Sequence, residues 1–353
     1  MRIPAPLATR LLGMLLMMGV PLSGQARAGQ TRAKPTAAEG DRLKEVEAEV
    51  AGLRWELDAV RKAVDDQLWF QRLSDVAVVD KVTYTGPPNP RGVETYGIKN
   101  ERHPLNIQQY VFVPRTIPPD RKLPLIVLPH GGVHGDFGTY HAHIVREMIH
   151  RGYVVVAPDY RGSTGYGRGF YESIDYGGLE VDDVVAGRDW AVAHLPVDPD
   201  RCAIVGWSHG GLIALMAVFD HPDKFAAAYA GVPVSDLIMR LGYLGKDYAA
   251  EFSARYHIGK APKEAVDEYR RRSPVWNVQK LRTPLLIHST TNDRDVNVVE
   301  VESLIRALLA AGKPFEYRIY PDAPGGHSFN RIDTPLAQES RKDIYAFLEK
   351  HLK

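Results

Sequence analysis

Two hydrophobic periods divide this chain. Between residues 36 and 72 the apolar side chains recur at steps of three and four, the spacing of one face of a helix. From residue 73 the period becomes two, as in half-buried strands. Three such strands are predicted, at residues 76–84, 93–98 and 107–113. We therefore expect an N-terminal amphipathic helix followed by antiparallel strands at a sheet edge.

After residue 123, short apolar runs alternate with helical patterns. The predicted strands lie at residues 123–128, 153–157, 202–205, 225–230, 285–288 and 315–319, and the helices at 140–151, 179–194, 299–311 and 336–352. This alternation predicts a mostly parallel, doubly wound α/β sheet with helices on both faces. Residues 233–282 interrupt it with polar helical patterns and aromatic side chains, where a connection of a few residues would suffice. We interpret them as a helical lid insertion.

The N-terminal helix carries a heptad stripe. Its apolar positions are Leu43, Val46, Val50, Leu53, Leu57, Val60 and Val64. Glu49 and Glu56 precede Arg54 and Arg61 by five residues, the spacing that pairs charges across a parallel two-stranded coiled coil. A helix folded back on its own domain would show the same stripe. The sequence leaves both interpretations open, self-association as a homo-oligomer and intramolecular packing.

The chain starts with the features of a secretory signal. Arg2 and Arg10 give a basic start, residues 11–22 are mostly apolar, and a small-x-small pattern ends at Ala28. We predict cleavage after Ala28 and export to a periplasm or out of the cell. The apolar run is shorter than the roughly 20 residues that span a bilayer, so we expect no stable membrane anchor. A polar linker, residues 29–35, follows.

The amino-acid composition excludes few classes of protein. The chain has 353 residues, 44% hydrophobic and 25% charged, as in ordinary globular proteins. Its net charge of +1 gives no reason to expect a nucleic-acid partner. Cleavage would remove three arginines and no acidic residue, which takes the charge to −2. Cys202 is the single cysteine, so the chain forms no internal disulfide.

A Gly-x-Ser-x-Gly sequence, residues 206–210, stands between a predicted strand and a predicted helix. Its two glycines carry no Cβ, so strand and helix can approach each other closely at this turn. The serine oxygen then points out of the turn, above the N–H groups at the start of the helix. Ser208 is therefore the candidate nucleophile.

A serine nucleophile needs a base and a carboxylate that orients the base. Asp293 follows the strand at residues 285–288, and His327 follows the strand that ends at Tyr320. The chain order Ser, Asp, His is that of α/β-hydrolases. Asp295 competes with Asp293, which we favour because it lies nearer the end of its strand.

The developing oxyanion needs backbone N–H donors. The residue after the nucleophile, His209, provides one, and either Gly131 or Gly132 provides the other. The side chains of His130 and His209 are expected to brace their loops. We expect no cofactor.

We also predict no metal site. His141 and His143 are two residues apart on a helix, so their side chains diverge. With His134 nearby, no carboxylate or cysteine completes a ligand set at a recognised spacing.

Four motifs in chain order resemble the catalytic domain of the prolyl oligopeptidase family of serine peptidases. They are Pro-His-Gly-Gly-Val-His-Gly at residues 129–135, Ala-Pro-Asp-Tyr-Arg-Gly-Ser-Thr-Gly-Tyr-Gly at 157–167, Gly-Trp-Ser-His-Gly-Gly at 206–211, and Tyr269 followed by Ser273-Pro274. The resemblance covers residues 123–353. It implies an α/β-hydrolase fold with Ser208 as nucleophile, Asp293 as orienting acid and His327 as base.

Members of this family usually carry a β-propeller before the catalytic domain. About 100 residues lie between Ala28 and the first motif, too few for a propeller of four blades. The predicted organisation is a signal peptide (1–28), a linker (29–35), a helix (36–72) and an α/β-hydrolase domain (73–353) with its lid at 233–282. We expect an exported serine hydrolase that cleaves peptide bonds through an acyl-enzyme on Ser208. The alternatives are a carboxylesterase acting on small or aromatic esters and a non-catalytic, hydrolase-like binding protein.

Overall fold

The structure is a computed structural model that describes residues 37–88, 93–95, 98–100, 104–118, 121–253 and 256–353. The predicted signal peptide and linker lie outside these ranges. Among the residues described, no helix is both long and apolar enough to cross a bilayer. Residues from Ala51 onward form one compact unit, and the described residues up to Val50 fall in another.

Ten strands and ten α-helices make up the described part of the chain. The strands are β1 (Ala77–Pro88), β2 (Val93–Thr95), β3 (Ile98–Asn100), β4 (Pro104–Pro114), β5 (Leu123–Val127), β6 (Val154–Asp159), β7 (Val197–Trp207), β8 (Ala227–Gly231), β9 (Leu285–Thr290) and β10 (Glu316–Tyr320). The helices are α1 (Ala37–Leu73), α2 (Ala142–His150), α3 (Arg168–Tyr171), α4 (Leu179–His194), α5 (His209–Asp220), α6 (Leu237–Leu244), α7 (Lys246–Ser253), α8 (Val266–Arg271), α9 (Val298–Ala310) and α10 (Pro335–His351).

Eight of these strands form one sheet in the order β1-β4-β6-β5-β7-β8-β9-β10. β1 and β4 run antiparallel at one edge, and the strands from β6 to β10 are parallel, as predicted. Alternate residues of a strand face opposite sides: Leu125 and Val127 join one apolar cluster with α4, α5 and α9. Ile126 and Leu128 join another with α1, α2 and α10. The sheet is therefore covered by helices on both faces.

The predicted position of one strand in the main sheet is wrong. Residues 93–98 do not join the edge of the main sheet; β2 and β3 pair with each other as a separate two-stranded ribbon. β2 and β3 are separated by only two positions in the chain, so they pair with each other locally at little cost in loop-closure entropy.

From residue 51 onward, helix α1 packs on the sheet domain through the face opposite its heptad stripe. The rings of Trp69 and Phe137 stack with their centroids 5.1 Å apart, and Trp69 and Leu73 are fully buried. The stripe residues Leu57 and Val60, in contrast, are at least half exposed. In this part of the helix the apolar stripe is therefore not the surface that contacts the domain.

Candidate active site

Ser208 stands at the turn between β7 and α5 with φ 60° and ψ −121°, a conformation that is unfavourable for a residue with a side chain. The flanking glycines make the turn possible. A Cβ on Gly206 would lie 2.0 Å from the carbonyl oxygen of Gly210, and one on Gly210 would lie 2.5 Å from that of Pro129. The Gly-x-Ser-x-Gly spacing is therefore required by close backbone contacts.

Asp293 and His327 meet beside this turn. Because β7, β9 and β10 are parallel, the loops at their carboxyl ends lie along one edge of the sheet. Asp293 follows β9 and His327 follows β10; His327 Nδ1 lies 2.7 Å from Asp293 Oδ2. A carboxylate only accepts hydrogen bonds, so Nδ1 carries the proton and the Nε2 of a neutral His327 keeps its lone pair.

Backbone N–H groups hold the Asp293 carboxylate in place through the oxygen that does not contact His327. Its Oδ1 accepts the backbone N–H groups of Asp295 at 2.8 Å and Val296 at 2.9 Å, and the side chain is buried. These bonds leave Oδ2 to orient His327. Asp293 therefore occupies the geometry of an orienting carboxylate.

The competing carboxylate, Asp295, lies on the other side of the imidazole. Its Oδ2 is 3.5 Å from His327 Nε2, and its Oδ1 bonds the Arg240 guanidinium at 2.7 Å. Burial opposes ionisation of Asp295, but His327 and Arg240 hold its pKa below the usual range. Asp295 is thus an anion at the rim of the site.

A cavity of about 380 Å³ joins the predicted residues. Ser208, His327, Gly131, Gly132 and His209 all line it. The structure therefore brings the predicted site residues together, with Asp293 placed behind His327.

The loop at residues 130–135 lies directly against the serine turn. A Cβ on Gly131 would lie 3.0 Å from the carbonyl oxygen of Trp207 and 3.5 Å from Ser208 Cβ. Gly132 has φ +74°, which favours glycine. His209 is the first residue of α5, so its N–H has no acceptor within the helix. The predicted oxyanion donors Gly131, Gly132 and His209 therefore all line the cavity that contains Ser208.

The side chains of His130 and His209 are buried in the framework of the site. His130 Nε2 lies 2.8 Å from Ser163 Oγ. The ring of His209 stacks on Tyr176 at 5.0 Å between centroids. Both positions agree with the bracing roles that the sequence suggested.

Helix α1 reaches this framework through Lys62. Lys62 Nζ lies 2.7 Å from Asp159 and 3.0 Å from Asp136, and both Lys62 and Asp159 are buried. Asp159 also accepts the N–H of Phe137 at 2.7 Å and lies 3.7 Å from His130 Nε2. Burial favours the neutral acid, but the Lys62 ammonium holds the pKa of Asp159 below its usual range. The ion pairs therefore connect α1 to the end of β6 at Asp159 and, through Asp136, to the chain that follows the loop at residues 130–135.

We expect Lys62→Met to lower the free energy of unfolding by about 3–5 kcal/mol, because it leaves a buried carboxylate unpaired. Urea unfolding followed by circular dichroism measures this. Lys44→Met is the control, since Lys44 pairs with Asp41 on the exposed part of the same helix and should change nothing measurable. The double variant Lys62→Met/Asp159→Asn should recover part of the loss; a single Lys62→Met variant as stable as wild type would contradict the role of this pair.

Two cavity-lining residues, Tyr248 and Phe252, belong to the aromatic side chains that the sequence marked in the insertion at residues 233–282. The sequence did not identify the other charged and aromatic residues of the walls, which are Tyr140, Tyr176, Arg240, Glu251 and Arg331. Arg331 donates from Nη2 to the carbonyl oxygen of His327 at 2.6 Å, and burial lowers its pKa. The only sequence feature that could have pointed to Arg331 is its position four residues after His327. Arg240, Glu251 and Phe252 come from the insertion at residues 233–282, and their approach to the site depends on tertiary packing.

Comparison with known proteins agrees with this geometry. Residues 140–353 match the model of the prolyl oligopeptidase family. Dipeptidyl aminopeptidase BIII of Pseudoxanthomonas mexicana is 30% identical over 222 residues, covering 62% of this chain and 32% of the relative. The acylamino-acid-releasing enzyme of Arabidopsis thaliana is 29% identical, over 65% of this chain and 30% of its own. The chain thus spans about a third of the length of these relatives.

Solved structures show the same fold. A puromycin-hydrolyzing peptidase of Mycobacterium tuberculosis has a TM-score of 0.62 at 25% identity, over 76% of this chain and 39% of its own. An acylaminoacyl peptidase bound to Z-Gly-Gly-Phe-chloromethyl ketone has a TM-score of 0.64 at 23% identity, over 78% of this chain and 42% of its own. The predicted α/β-hydrolase class is confirmed. With a family match that covers most of the chain, this protein belongs to the prolyl oligopeptidase family of serine peptidases.

Proposed function

We propose that this chain is a serine peptidase that cleaves amide bonds through an acyl-enzyme on Ser208. The observation that carries the proposal is the 2.7 Å contact between His327 Nδ1 and Asp293, in a histidine that shares one cavity with Ser208. Export after cleavage at Ala28 is part of the proposal and rests on the sequence pattern of residues 1–28.

In this mechanism His327 Nε2 takes the proton of Ser208 Oγ as that oxygen attacks the substrate carbonyl carbon. The N–H groups of His209 and of Gly131 or Gly132 stabilise the resulting oxyanion. The protonated His327 then gives its proton to the leaving amine, and the acyl-enzyme forms. His327 next deprotonates a water molecule as its oxygen attacks the acyl carbon, and it then gives that proton to Ser208 Oγ as the acid is released. Asp293 holds the imidazole in place throughout by accepting the hydrogen bond from His327 Nδ1.

The nature of the leaving group separates this proposal from the carboxylesterase alternative. An amine must be protonated by His327 before it leaves, whereas an ester is less demanding. We expect the enzyme to hydrolyse peptide anilides as well as esters that carry the same acyl group. Steady-state kinetics on such matched pairs measures kcat/KM for each. A large ester preference with no cleavage of any anilide or peptide would make the chain an esterase.

We also propose that α1 pairs with α1 of a second copy as a parallel coiled coil. Its apolar stripe is exposed throughout: Leu43, Val46, Val50, Leu53, Leu57, Val60 and Val64 are each about half exposed or more. From residue 51 the opposite face is held by Lys62 and Trp69, so the stripe stays available to a partner. Glu49 and Glu56 stand where a parallel partner would offer Arg54 and Arg61.

Light scattering on the protein that begins at residue 29 should therefore give a dimer. Leu57→Asp combined with Val60→Asp should give a monomer, because both charges fall inside the apolar seam. Leu309→Asp on α9 is the matched control: Leu309 is equally exposed but lies outside the stripe, so the dimer should persist. A monomeric wild type, or a dimer unaffected by the double change, would refute the coiled coil.

A further inference from the structure

Three potential metal ligands meet beside the Ser208 cavity, and two of them, His134 and Glu251, line it. His134 belongs to the loop that carries Gly131 and Gly132, Glu251 lies on α7 of the lid insertion, and His257 follows α7. Their ligand atoms all lie within 4.8 Å of one another. His134 and His257 are 123 positions apart in the chain, so no sequence spacing reveals them as a set.

The two histidines already have a spacing suited to a shared ion. Their Nε2 atoms are 3.0 Å apart. Two nitrogens at that separation can each lie about 2.1 Å from one zinc ion, with an angle of about 90° at the metal. Opening that angle to a tetrahedral value moves them only to about 3.4 Å apart. Glu251 is exposed and has a flexible side chain, so its carboxylate can move to bind the same ion.

The surroundings of His134 orient its Nε2 toward His257. Its Nδ1 lies 2.9 Å from the carbonyl oxygen of Gly162, which can only accept, so Nδ1 carries the proton and Nε2 the lone pair. Tyr171 stacks on the ring at 3.5 Å between centroids and limits its rotation. A histidine whose other nitrogen donates to a backbone carbonyl is the usual arrangement in metal sites.

We propose that His134, Glu251 and His257 form a binding site for a divalent transition-metal ion, zinc by donor preference, with a fourth position open toward the Ser208 cavity. Without metal, His257 Nε2 donates a hydrogen to His134 Nε2. On binding, the proton of His257 moves to Nδ1 and both Nε2 lone pairs bind the ion, so no net proton is released. Two imidazoles and a carboxylate with one open position are a known donor set for zinc.

Such an ion would tie the lid to the loop beside the nucleophile. Glu251 and His257 come from the insertion at residues 233–282 and His134 from the loop at 130–135, so the metal bonds would join two segments that are distant in the chain. We therefore expect zinc to protect the segment around α7 from limited proteolysis and to raise the melting temperature. Both readouts are independent of peptidase activity.

The direct test is a zinc titration of the full chain against a chromophoric chelator, followed by dialysis and elemental analysis. Wild type should retain one zinc per chain, and Co²⁺ in its place should give the visible absorption of a four-coordinate ion. Glu251→Gln, an exposed change that leaves the fold intact, should weaken binding by about tenfold or more, and His257→Ala should abolish it. His194→Ala, an exposed histidine on α4, should bind like wild type.

Two results would overturn the site: a wild type that retains no zinc, or a zinc affinity that is equal in wild type, Glu251→Gln and His257→Ala. Circular dichroism of each variant separates loss of a ligand from loss of the fold. A failure here would leave the peptidase proposal untouched, because labelling and hydrolysis at Ser208 are measured without metal.

Discussion

Replacing Ser208 with alanine should reduce kcat for peptide and ester substrates by about 10⁶-fold, the scale of nucleophile loss in Ser-His-Asp enzymes. The alanine has no oxygen to attack the carbonyl, while the cavity and the Asp293–His327 pair remain. Hydrolysis of a fluorogenic substrate measures the loss.

A fluorophosphonate probe gives an independent measurement of the same serine. It should label wild type and fail to label Ser208→Ala. Ser253→Ala, which removes a hydroxyl bonded to the Ala249 carbonyl in the lid, should label normally. A folded wild type that is neither labelled nor active would favour the binding-protein alternative.

Replacing Asp293 with asparagine should lower kcat by about 10⁴-fold while leaving the shape of the site intact. The amide can donate to His327 Nδ1, which would stabilise the tautomer whose Nε2 carries the proton and cannot act as a base. Stopped or continuous assays over a range of pH measure kcat for both variant and wild type.

Asp295→Asn is the matched control, since it makes the same chemical change two residues away. Asp295 lies 3.5 Å from the Nε2 side of His327 and is already engaged by Arg240, so we expect a loss within about tenfold. If Asp295→Asn proved the more damaging change, the orienting role would have to pass from Asp293 to Asp295.

The parallel sheet and the meeting of Ser208, Asp293 and His327 could be predicted because both depend on local patterns. Each residue follows an apolar run of strand length, and parallel strands place such loops at one edge. The need for glycine in the serine turn could be predicted for the same reason, because close backbone contacts exclude a Cβ at Gly206 and Gly210.

The charged groups of the cavity wall could not be predicted, because they depend on how distant segments pack, among them the insertion at residues 233–282. Nothing in the local sequence of Arg240 shows that its guanidinium reaches Asp295, 55 positions further along the chain. The same holds for Glu251 and His257, which approach His134 only in the folded protein. The prediction for residues 93–98 failed because the local pattern does not show whether a short strand joins the main sheet or pairs with its neighbour in the chain.

The contact between Lys62 and Asp159 also sets the smallest length of chain that can fold. The change in hydrophobic period places the start of the sheet domain near residue 73, yet the compact unit begins at Ala51. A fragment starting at β1 would lack the ammonium for Asp159 and the indole of Trp69 that covers Phe112 and Phe137. Truncation from the N-terminus should therefore be tolerated up to about residue 50 and cause aggregation beyond residue 62.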